Sequence, residues 1–82
     1  MRCYCCSTKK KFLESFAKLN AEAGDIYLCS VCNQLLYKIR DDYNNHNVKK
    51  YNRHLNELHE RKHNPHENYL KWEYVFLNKY TL

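Results

Sequence analysis

Apolar side chains recur at helical spacing through the middle of this 82-residue chain. Val31, Leu35, Leu36, Ile39 and Tyr43 share one face if residues 30–43 wind into a helix. Val48, Tyr51, Leu55 and Leu58 resume the period after Asn44-Asn45-His46-Asn47, where asparagine side chains compete with the helix backbone. The two stretches are either separate helices or one long kinked helix. A third start signal stands at Asn64-Pro65-His66-Glu67, which reads as an Asn64 N-cap, Pro65 at the first helical position and an acid three residues after the cap. Tyr69, Trp72, Glu73, Phe76 and Tyr80 follow on one face, widened by Leu70, Val75 and Leu77.

The pattern before residue 30 is ambiguous. Phe12, Phe16, Leu19 and Ala23 fit a helical period, whereas the position of this stretch between two cysteine pairs suggests a short hairpin. The reading leans to partial helix or irregular structure for 9–22, a turn at Gly24-Asp25 and an extended Ile26-Tyr27-Leu28. One glycine and one proline supply too few turns for an all-β fold. The expected class is therefore mostly α, in a single domain spanning 1–82.

A chain this short buries only about 60% of its unfolded surface, and such domains usually need a cross-link or a partner. Cysteine is the candidate. Five is an odd number, and Met1-Arg2-Cys3-Tyr4-Cys5-Cys6 leaves no room for the apolar core of a secretory signal. The expected location is a reducing cytoplasm, where disulfides are rare. Two Cys-x-x-Cys pairs then read as four thiolate ligands, Cys3, Cys6, Cys29 and Cys32, for one structural Zn²⁺. An arrangement with Cys5 in place of Cys3 or Cys6 stays open, because neighbouring thiols compete for a metal. A closed four-thiolate site has no free coordination position, so its metal folds the chain and does not activate water.

Cys3-x-x-Cys6-x-x-Lys9, then Phe12, Ser15-Phe16-x-Lys18, Gly24 and Leu28-Cys29-x-x-Cys32-Asn33 resembles the treble-clef zinc fingers of small phage-encoded proteins. In particular it is similar to the zinc-binding region of the recombination endonuclease VII group within the wider HNH-type class. The likeness covers roughly residues 3–40. It implies a knuckle with Cys3 and Cys6, a hairpin, and a helix whose first turn carries Cys29 and Cys32. Together with the helical stripes, the expected architecture is a treble-clef-like half over 1–43 followed by two or three helices, the helical half spanning 44–82. Those nucleases place a histidine base between the zinc pairs, and here no histidine occurs from Met1 to Asn45. The expectation is a protein that is not an enzyme.

The formal charge of +5 is carried by the first two-thirds of the chain, since acids and bases balance after residue 64. Lys9, Lys10 and Lys11, with Lys49, Lys50 and Arg53 and their neighbours Arg61 and Lys62, are candidate phosphate contacts, and Tyr51 or Tyr37 a candidate for stacking on a base. His59 and His63 stand at i, i+4 with His66 nearby, a spacing open both to a second metal and to a solvated polar face. Tyr69, Trp72, Phe76 and Tyr80 are candidates for a partner or homodimer interface as well as for core. Two functions follow: a zinc module that binds nucleic acid or a nucleoprotein, or a phage-encoded inhibitor or regulator that contacts a host nucleic-acid-processing enzyme. No apolar run approaches the roughly 18 residues of a membrane span.

Overall fold

In the computed structural model, which describes residues 1–82, two short strands precede three helices: β1 (Ala17–Leu19), β2 (Ile26–Leu28), α1 (Ser30–Asn44), α2 (Val48–Arg61) and α3 (Glu67–Lys79). About half of the residues are helical. No helix is long and apolar enough to cross a membrane.

The first stretch departs from the helical leaning. β1 and β2 pair antiparallel, with Ala17 opposite Leu28 and Leu19 opposite Ile26. Local ties prevent a helix from forming upstream. Arg2 bridges Lys9, the Lys10 N–H donates to the Met1 carbonyl, and Leu13 adopts a left-handed φ of 69° that a helix does not tolerate. Phe12 consequently points to solvent, 93% exposed, instead of joining Phe16 on a buried face. Gly24 closes the hairpin at φ 130°, a conformation L side chains rarely adopt.

α1 and α2 are separate helices. α1 ends where the Asn45 N–H donates to Asp41, His46 turns left-handed at φ 54°, and the Asn47 side chain accepts from the Lys50 N–H to cap α2. The reversal lays α2 back along α1. A buried Asp42 to His54 contact of 2.5 Å ties the pair beside the turn, and Arg61 meets Cys32 at the far end. Leu35, Leu36 and Ile39 of α1 enclose a core with Tyr51 and Leu58 of α2, Ile26 and Leu28 of β2, and Tyr69 of α3. Val31 and Val48, expected on these stripes, are about half exposed.

The start of α3 lies two residues later than the Asn-Pro signal. His66 is the N-cap, its ring Nδ1 accepting from the Asn68 N–H at 3.0 Å, while Asn64 is left-handed at φ 43°. Tertiary ties override the local signal. The His63 and His66 N–H groups donate to the carbonyls of Cys5 and Tyr4, and the His66 ring stacks on Tyr4 at 4.3 Å.

The aromatic face of α3 mostly turns inward. Tyr69 is fully buried; Trp72, Phe76 and Tyr80 are half-buried and lie in a row, with ring centroids 5.0 and 4.9 Å apart. The side that α3 leaves to solvent carries Leu70, Tyr74 and Val75.

Candidate metal centre

The first cysteine pair is shaped by a tight backbone loop. The Ser7 N–H donates to the Cys3 carbonyl, the Cys3 N–H donates to Thr8, and Ser7 takes a left-handed φ of 65° that turns the chain back. The Tyr4 N–H donates to the Tyr27 carbonyl and seats this knuckle on β2. Cys29 follows β2 directly as the N-cap of α1, and Cys32 lies in the first turn. Cys29 makes no side-chain cap bond, because its sulfur faces the other thiols.

The structure brings together four of the five cysteines. The sulfurs of Cys3, Cys6, Cys29 and Cys32 all lie within 4.8 Å of one another, and those of Cys6 and Cys29 are 3.7 Å apart. Two sulfurs on one tetrahedral zinc, each bonded at about 2.3 Å, stand about 3.8 Å apart. The donor set thus fits a metal of that size. Cys3, Cys29 and Cys32 are buried, while Cys6 keeps part of its surface in solvent. Cys5 is fully buried and lies outside this group of four.

The metal-free thiols are held in unequal states. A hydrogen bond with Cys32, reinforced by burial, pushes the Cys3 thiol up to about 12. Cys32 is raised as well: its bond with Cys3 pulls downward, but the bond with Cys5 and burial outweigh it. Burial raises Cys29. Burial also acts upward on Cys6, yet hydrogen bonds from Thr8 leave it lowered. A divalent cation at the centre of the four sulfurs favours the thiolate at each position, so loading the site expels protons.

One cation already stands against the cluster. Arg61, the last residue of α2, donates from Nε to Cys32 Sγ at 3.5 Å and from one Nη to Cys6 and Cys29 Sγ at 3.6 and 3.8 Å. Sequence reasoning placed this residue among the phosphate contacts. Nothing in the spacing marks it, since 29 residues separate Arg61 from Cys32 and only the fold-back of α2 brings them together.

Comparisons with protein-family models, curated proteins and solved structures find no match.

The other candidates fare differently. Lys9, Lys10, Lys11, Lys49, Lys50 and Arg53 are all exposed. They form two groups: the first is anchored beside Cys3 by the Arg2–Lys9 bridge, and Lys49 lies about 18 Å along α2 from Arg61 at 1.5 Å per residue. Tyr51 does not offer its ring to a base. It is 5% exposed, and its hydroxyl donates to the Tyr80 carbonyl at 2.6 Å. Lys62 is paired with the buried Glu73 at 2.7 Å and, like Arg61, is engaged within the fold. The late histidines do not converge, for His66 caps α3 while the exposed His59 lies within α2. Tyr69 belongs to the core, and Trp72, Phe76 and Tyr80 pack against it or along one another, so the expected aromatic interface serves mainly as cover for the interior.

Proposed function

We propose that this chain is a non-enzymatic, zinc-nucleated module of treble-clef type that binds nucleic acid in a reducing cytoplasm. The four-sulfur cluster supports the zinc reading. The order of knuckle, hairpin and helix, with the second cysteine pair at the helix start, supports the likeness to phage treble-clef fingers.

The observation that carries the binding reading is the loop ahead of β1, where exposed Lys9, Lys10 and Lys11 run into Phe12 and Leu13, which are 93% and 89% exposed. Burying neither apolar side chain costs this small protein core that it can ill spare. Lysines beside a bare aromatic ring suit a strand whose phosphates and unstacked bases are both within reach. Phe12 takes the stacking role that the sequence assigned to Tyr51. Lys49 and Lys50 add support, because both occupy the first turn of α2, where the helix dipole disfavours cations and attracts anions.

Fluorescence anisotropy with labelled single-stranded DNA, single-stranded RNA and duplex tests this reading. Affinity for single strands is expected to fall steeply with salt, and Phe12→Ala to weaken it by about 1–3 kcal/mol. Absence of binding at low salt, or binding indifferent to both salt and Phe12, would refute it.

A second reading, a regulator that docks on a host nucleic-acid-processing enzyme, draws on another observation. A cleft of about 340 Å³ between the hairpin turn and α3 is lined by Ala21, Ala23, Trp72 and Val75. Pull-down from nuclease-treated host lysate separates the two readings. Recovery of one stoichiometric protein, lost in Val75→Glu, favours docking.

A further inference from the structure

Four thiolates and one divalent cation carry a net charge of about −2, which a largely buried site has to offset. Of the four sulfurs, that of Cys3 belongs to a side chain enclosed by the fold, 2% exposed. The remaining three sulfurs are those that Arg61 reaches. Its guanidinium presents two donors along one planar edge, Nε toward Cys32 and Nη2 toward Cys6 and Cys29. A lysine ammonium has no such fork. The residue also ends α2, where the helix dipole favours a cation and where the following loop is tied to the knuckle through the His63 N–H and the Cys5 carbonyl.

We propose that Arg61 is a positioning residue of the metal centre, capping the sulfurs of Cys6, Cys29 and Cys32 and making metal retention depend on the packing of α2 against α1. The inference rests on the reading of the four cysteines as a metal site. It goes beyond that reading by assigning a fifth residue, from the opposite half of the chain, to holding the ion. Charge-assisted N–H···S bonds withdraw electron density from the thiolates, so the capped centre also reacts more slowly with electrophiles.

The test uses the full chain as wild type, Arg61→Leu, Arg61→Lys and the charge-matched surface control Lys38→Gln. Zinc affinity is measured by competition with a chromophoric chelator, and the thiolate-to-metal band is recorded after cobalt substitution. Wild type and Lys38→Gln are expected to agree. Arg61→Leu is expected to bind zinc about 10- to 100-fold more weakly, with Arg61→Lys between them, as for other outer partners of metal ligands. The cobalt band should move to lower energy in both Arg61 variants, and N-ethylmaleimide should release zinc from them faster. A purely structural role for Arg61 would leave the band in place. Wild-type affinity in Arg61→Lys with an unshifted band overturns the proposal, even if Arg61→Leu fails to fold. A wild-type chain that takes up neither zinc nor cobalt overturns the metal reading itself, and this inference with it.

Discussion

Residues 1–29 and residues 30–79 reach a buried interior by different routes. In the first region two strands of three residues contribute only Ile26 and Leu28 as buried aliphatic side chains, and the other buried positions are Cys3, Cys5 and Cys29. Its backbone is held by turns with left-handed residues at Ser7 and Leu13. The second region packs Leu35, Leu36, Ile39, Leu58 and Tyr69 from three helices and adds a buried Asp42–His54 pair. Apolar burial can sustain the helices, since each enclosed Leu or Ile contributes about 1.5–3 kcal/mol. The knuckle has no comparable source of cohesion, and its four clustered sulfurs are positioned to supply one by holding a metal.

Metal removal is the strongest way to break this contrast. With a zinc chelator, amide protection is expected to vanish at Ser7, Lys10 and the β1–β2 pairs, and to decrease without vanishing at Ile39 and Leu58. The metal's contribution, of order 10 kcal/mol in zinc-finger peptides, exceeds what the small hairpin can replace. Hydrogen exchange checks it, and equal protection with and without chelator would erase the distinction between the regions.

Acid should produce the same loss in graded form. Zinc uptake would displace the protons that Cys3, Cys29 and Cys32 hold, so retention is expected to strengthen as pH rises and to fail as pH falls, by about tenfold per unit for each proton displaced. The metal-free chain has the opposite sign at Cys3. Its folded-state value of about 12 lies above the ordinary 9.0, so its contribution is fully present below pH 9 and is lost as pH rises toward 12. Chelator competition across pH 5–8, and denaturation of the metal-free chain across pH 8–12, read the two signs separately.

On the helical side, Leu58→Ala is expected to destabilise by about 2–5 kcal/mol, because the side chain is fully enclosed between α2 and its neighbours. Zinc stoichiometry should stay at one per chain, measured by native mass spectrometry. Asp42→Ala leaves His54 without its carboxylate in a buried position and should cost roughly 3 kcal/mol in urea denaturation. Loss of zinc in either variant, with the helices still folded, would mean that the two regions are less separable than their packing suggests. The smallest expected effect is that of Phe12→Ala on stability, within about 0.5 kcal/mol, since the ring touches little. A larger loss would move Phe12 from the binding surface into the fold.

Much of this arrangement was legible from residue order. The helical stripes located α1 to within a residue and α2 except for its last three residues, and of the two arrangements left open at Asn44–Asn47 the structure shows separate helices. The repeated Cys-x-x-Cys spacing selected the same four sulfurs that the fold assembles. The failures have a common cause. The helical period in 9–22 competed with backbone ties to Met1 and Arg2, the Asn64-Pro65 cap signal with hydrogen bonds from the His63 and His66 N–H groups to the carbonyls of Cys5 and Tyr4, and the base-stacking role of Tyr51 with burial beneath the end of α3.

Local spacing by itself marked two Cys-x-x-Cys pairs as able to turn their thiols to one side, because a two-residue spacer fixes the reach within each pair, and it left Cys5 as a competitor in the first. It also determined where helices could run, because a period of 3.6 is written in consecutive residues. Tertiary structure alone decided that Arg61 faces three sulfurs, that Tyr51 is interior and that Phe12 stands bare. Those outcomes depend on contacts between residues far apart in the chain, and no local pattern encodes which distant side chain a fold-back will deliver.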